Sequence, residues 1–137
     1  MRVMAAAPVW VSDDLPNARD HVRWFPALVS NHVMDLIERY GWDSDIPSEL
    51  TDFVKARKFY DYKDHSRVGA AHGDFVTDEI CDRFCVIGSV DDCAKKLREL
   101  ETIGVDQFNI YLMTHAQEET LQAYGDGIID QFAAVPA

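Results

Sequence analysis

The stretch from Phe84 to Asp92, FCVIGSVDD, carries the strongest chemical signal in the chain. An apolar run ends in Gly88 and Ser89, and a helical pattern begins at once. The first amides of a helix have no intrahelical acceptor, and the helix dipole adds partial positive charge at the same point. A strand that delivers its end into such a turn makes an anion site suited to a phosphate. Gly88 would let the backbone come close, Ser89 would offer a hydroxyl, and Val90 would contribute an amide. An ordinary capped helix explains the same residues. Ser89 and Asp92 stand at capping-box spacing, which needs no ligand. Asp91 and Asp92 would also repel an anion. Spacing alone leaves both readings open.

Other reactive residues are scattered. The histidines are His21, His32, His65, His72 and His115, and none pairs at a metal-ligand spacing, so no metal site is expected. His65 and His72 fall in a predicted loop, where solvated imidazoles are common. Thr114 and His115 follow an apolar run at the kind of strand end where sites of parallel α/β folds collect. A surface loop histidine is the plainer account of His115. Cys81, Cys85 and Cys93 are odd in number and match no zinc or redox motif, which predicts buried free thiols in a reducing cytoplasm. The basic and aromatic mixture from Phe53 to Lys63 could stack on bases. Its helical period fits a solvated face lying over an aromatic anchor better. There is no nucleophile elbow, Walker loop or glycine-rich dinucleotide turn. No acid–base pair is brought together by sequence, so no catalytic residue can be named.

The elements that would position these residues are legible from periodicity. Val3 to Val11 reads as a strand buried on both faces. Ser12, Asp13 and Asp14 can start a helix, and Ala18, Val22, Phe25, Val29, Val33, Leu36 and Tyr40 keep one apolar face as far as the stop at Gly41. Pro26 should kink or split that helix. Pro47 opens a second helical stretch, in which Leu50, Phe53, Val54 and Arg57 could share a face. Residues 61–75 read as a long loop, and VTDEIC, 76–81, as a short helix. RFCVIG, 83–88, is a strand. The following helix has Ser89 as its N-cap and Gly104 as its stop. QFNIYLM, 107–113, is a third strand, and a last helix runs from about 118 to 132. This alternation predicts three parallel strands with the last two adjacent. Val3, Val9, Val11, Cys85, Ile87, Phe108, Ile110 and Leu112 are expected to face outside partners.

Length and charge bound the class. The chain has 137 residues, 47% of them apolar, enough for one packed domain. A formal charge of -11 makes phosphate backbones and anionic membrane surfaces poor partners. No apolar run reaches the roughly 18 residues of a membrane span. Met1 to Val11 loosely imitates a signal peptide, but the run is short, contains Pro8 and leads straight into SDD.

Taken together, RWFPALVSNHVMDLIERYG, LTDFVKARKFYDYKDHS and above all DFVTDEICDRFCVIGSVDDCAKKLRELETIGVDQFNIYLMTHAQEETLQAYGDGII resemble the luciferase-like monooxygenase superfamily, in its deazaflavin-dependent branch. The resemblance extends over nearly the whole chain. It implies an α/β fold that is the C-terminal portion of a TIM barrel, an incomplete barrel of about strands six to eight. Residues 1–137 would be a single partial barrel domain with an insertion loop at 61–75. The implied cofactor is the deazaflavin coenzyme F-420 or FMN, with a small organic substrate in the complete protein. Gly88, Ser89 and Val90 would meet the cofactor phosphate, and Thr114 and His115 would stand at the pocket rim. Family members are roughly twice this length or more, and their catalytic positions have no counterpart here. The resemblance therefore implies an oxidoreductase segment inactive alone, or a non-catalytic remnant that self-associates through open sheet edges.

Overall fold

The computed structural model describes residues 1–42, 45–113 and 115–132, without the side chains of Glu49 and Leu50. The described residues form two compact units, Met1–Arg19 with Cys85 onward, and Asp20–Phe84.

The first unit is built on three parallel strands. Strand β1 is Met4–Val11, β2 is Val86–Gly88 and β3 is Gln107–Tyr111. Their order across the sheet is β2-β1-β3. The expectation that β2 and β3 would be neighbours is therefore wrong, although all pairing is parallel as predicted. β1 separates them because it offers both of its flanks, one half at a time. Val9, Trp10 and Val11 pair with Val86, Ile87 and Gly88, whereas Met4 to Pro8 pair with Gln107 to Tyr111. The changeover falls at Pro8, which has no N–H to give a ladder. At the start of β1 the Asp106 carboxylate accepts from the Val3 amide at 2.7 Å.

Helix α5, Val90–Thr102, and helix α6, Gln117–Ala123, follow β2 and β3. α6 continues into a π-turn, Tyr124–Ile128, and a 3-10 turn, Ile129–Gln131. The core joins Val9, Val86, Cys93, Tyr124 and Ile128, with Val11, Phe108, Ile110 and Leu112 packed against it. Each fully buried aliphatic side chain here contributes about 1.5–3 kcal/mol. Period-2 alternation thus turns Val9, Val11, Phe108, Ile110 and Leu112 toward this core, and Cys85 is buried as well. That corrects the expectation that they await an outside partner. On the opposite face Met4, Ala6, Gln107, Asn109 and Tyr111 are exposed, whereas Pro8 and Trp10, further along β1, are buried.

The second unit is helical. α1, Leu15–Val22, crosses into it from the first, after Asp14 caps its start by accepting from the Asn17 amide. α2 spans Trp24–Tyr40. The predicted split occurs at Arg23, so that Pro26 falls in the first turn of α2, where proline is tolerated. Gly41 ends the helix at φ 85°, its amide bonded to the Ile37 carbonyl. α3, Ser48–Val54, is shorter than predicted, and α4 is Asp78–Phe84. Arg83 and Phe84 thus belong to a helix, not to the strand expected from residue 83. Residues 61–75 contain two 3-10 turns, Tyr62–Asp64 and Ala71–Gly73. Val33, Ile37 and Val54 form this unit's core, together with Val29, Met34, Ile46 and Phe53.

Candidate functional site

β2 delivers its last residue, Gly88, directly into the N-cap of α5. Gly88 has φ +124°, a region where side chains are strained. A Cβ built there would lie 2.9 Å from the Asp92 Cβ. The glycine is thus required by its own backbone and by Asp92. Ser89 is the N-cap of a complete capping box. Its Oγ accepts from the Asp92 amide at 3.2 Å and donates to Asp92 Oδ2 at 2.7 Å, while the Ser89 amide donates to the same carboxylate oxygen at 3.1 Å. The Ser89 hydroxyl, followed by its amide, holds the Asp92 carboxyl below its ordinary pKa. Both polar groups of Ser89 are therefore committed to the helix. The amides of Val90 and Asp91 remain, since the first turn of a helix gives them no internal acceptor.

A hollow of about 390 Å³ adjoins this turn, lined by Val11, Ser12, Asp13, Ser89, Val90 and Asp91. The Ser12 amide donates to the Gly88 carbonyl at 2.8 Å and ties the end of β1 to the end of β2. Two helix-start amides could donate to an anion here, whereas Asp13 and Asp91, as carboxylates in the lining, would repel one.

Thr114 lies outside the described residues. His115 is exposed and does not line the hollow. Among the described residues no cluster of histidine, cysteine and carboxylate side chains could hold a metal, and no helix is long and apolar enough to cross a membrane. Cys81, Cys85 and Cys93 are buried and are not joined in disulfides. Burial pushes the Cys93 thiol up to about 12.

The family model for luciferase-like monooxygenases matches residues 1–107. The chain belongs to the luciferase-like monooxygenase family. It is 28% identical over 106 residues to 5,10-methylenetetrahydromethanopterin reductase of Methanolobus tindarius, across 77% of this chain and 30% of that protein. Its structure is similar to the coenzyme F-420-dependent tetrahydromethanopterin reductase of Methanopyrus kandleri, with TM-score 0.60 and 20% identity, over 96% of this chain and 35% of the other. This luciferase-like chain thus spans about a third of the length of these relatives.

Sequence reasoning missed one constellation. In the helical unit His72 is 2% exposed and Trp24 4%, so His72 is not the solvated loop residue expected. The Tyr60 ring lies 4.3 Å from that of His72, and the His65 ring 5.2 Å from that of Trp24. The Tyr60 hydroxyl meets His65 Nδ1 at 2.5 Å. Burial raises the Tyr60 phenol to about 12 and lowers the His72 imidazole. The available signal was aromatic density between residues 59 and 72, which a loop assignment discounts.

Proposed function

We propose that this chain supplies the part of a deazaflavin-dependent luciferase-like oxidoreductase that holds the cofactor phosphate, corresponding to about strands six to eight of the barrel. FMN is the alternative cofactor, since it offers a phosphate to the same amides. The observation that carries the reading is the turn at Gly88, where a parallel strand runs into a capped helix beside an open hollow. Family membership and the coenzyme F-420 dependence of the similar Methanopyrus kandleri reductase support the deazaflavin. When bound, that group supplies hydride transfer. The residues here bind and orient: the amides of Val90 and Asp91 take the phosphate, and Gly88 and Ser89 shape the turn. In a closed barrel the flank of β1 that β3 now occupies would be taken by an earlier strand, and β3 would move beside β2.

The chain alone is proposed to be inactive, because loss of the groups that position reactants removes many orders of magnitude in rate. The part-exposed sheet face and the part-paired strands favour self-association of the isolated chain. The test is a chimera in which the N-terminal two-thirds of a relative is joined to this chain and titrated with F-420 and FMN. A Val90→Pro change removes one proposed phosphate donor without adding charge, at a helix position that accepts proline. It should weaken binding about tenfold while the fold is kept. Unchanged affinity in a folded variant would move the phosphate elsewhere. Sustained cofactor oxidation by the unfused chain would overturn the inactivity.

A further inference from the structure

The helical unit encloses a cavity of about 240 Å³ whose walls include Asp20, Arg23, Trp24, Arg67, His72 and Asp74, with the backbone of residues 68–70. We propose that this cavity binds a small monocarboxylate through the Trp24 and His72 ring nitrogens. Two observations carry this. Trp24 Nε1 and His72 Nε2 are buried and have no hydrogen-bond partner among the described residues, although buried polar groups are almost always paired. Both residues also line this one cavity.

The chemistry of the walls selects the ligand. An indole N–H can only donate, so whatever satisfies Trp24 presents an acceptor. Neutral His72 can present Nε2–H as a second donor. The Tyr60 hydroxyl that packs nearby is already taken by His65. Two guanidinium groups favour an anionic acceptor. Arg23 is fixed in the wall by the Val76 carbonyl at 2.5 Å and by Asp78 at 2.7 Å. Arg67 reaches Asp64 at 3.1 Å from a side chain that is 66% exposed, so it can turn inward at little cost. Asp20 and Asp74 line the same cavity, and Asp78 and Asp64 already pair with the two guanidinium groups, so the walls carry no positive excess. A carboxylate is held there by the two ring N–H donors and an inward-turned Arg67, and a dianion is repelled. The volume is several times a water's share of about 30 Å³ and suits a carboxylate on a short stem.

The test uses the full chain labelled with ¹⁵N, following the indole N–H of Trp24, which a Trp24→Phe variant assigns. Sodium acetate, sodium propionate, inorganic phosphate and sodium chloride are titrated at matched ionic strength and neutral pH. Acetate or propionate should give a saturable downfield shift of that one indole resonance, with phosphate weaker and chloride without effect. His72→Phe keeps the ring and removes the nitrogen, and should weaken carboxylate binding at least about tenfold. Arg39→Gln, at the end of α2 and outside the cavity, should leave it unchanged. The proposal fails if no carboxylate gives a saturable shift, if chloride or phosphate does as well, or if a folded His72→Phe binds like the parent. Should His72→Phe not fold, the titration of the unaltered chain decides the matter.

Discussion

Replacing Gly88 by alanine isolates what the β2–α5 turn is built from. Two penalties add. The backbone sits at φ +124°, and holding a non-glycine residue in so sparsely populated a region costs about 1–3 kcal/mol. The new methyl would also approach the Asp92 Cβ to 2.9 Å and its Oδ2 to 3.0 Å. Relief requires Asp92 to move, which opens the capping box and costs about 1–2 kcal/mol. The sum is about 4 kcal/mol, a large share of the stability of a small domain. Changing Asp92 to glycine removes the three atoms nearest the new methyl. In that background Gly88→Ala should therefore cost only the backbone part, about 2 kcal/mol, leaving a coupling of about 2 kcal/mol between the sites. Urea unfolding followed by circular dichroism measures all four corners of the cycle. Additive losses would show that Asp92 does not confine Gly88. A loss below about 0.5 kcal/mol for Gly88→Ala would refute the account of the turn as a whole.

The remaining predictions concern packing and protonation. Gly127→Ala would place a Cβ 2.9 Å from Val90 Cγ1, so it should cost about 1–2 kcal/mol in thermal unfolding, and Val90→Ala should recover most of it. Burial lowers the His72 pKa, so the unfolded chain takes up a proton before the folded chain does. Stability should be complete above about pH 6.5, the ordinary value, and fall as pH drops below it until the folded imidazole also protonates. His72→Gln should flatten that part of the stability curve, and an unchanged slope would show that His72 is not the group responsible. With all three thiols buried and Cys93 raised to about 12, a thiol reagent at pH 8 should label the native chain slowly and the urea-unfolded chain at once. Fast labelling of the native chain at Cys93 would contradict its burial.

Local signals were legible. The N-cap at Ser89, the stops at Gly41 and Gly104, and the break near Pro26 all depend on residues within a turn of one another, and each stands where its pattern predicted. β1 was recognisable from its unbroken apolar run. What periodicity does not encode is which strand lies beside which. β2 and β3 stand on either side of β1 because its two halves pair separately, a relation between residues 4–11 and residues about 80–100 positions later. The same limit explains the inverted face. Alternation along β3 announced one apolar side, but not that α5 and the π-turn would cover it. At the candidate site both readings of Ser89 were written in the spacing, and only geometry shows that its hydroxyl serves Asp92. His72 was misplaced because its ring packs against Tyr60, outside any local period.

The changeover at Pro8 has a consequence for how the sheet can grow. β1 presents two short vacant flanks, one beside Met4–Pro8 and one beside Val9–Val11, on opposite sides and at opposite ends of the strand. An incoming strand on either side therefore finds at most five or three rungs before it meets a strand already in place. No straight, full-length template is offered, and long templates are what edge-to-edge stacking into fibres requires. Growth from such a strand is stepped, and each step is short enough that side chains, rather than backbone ladders, must decide which partner is accepted.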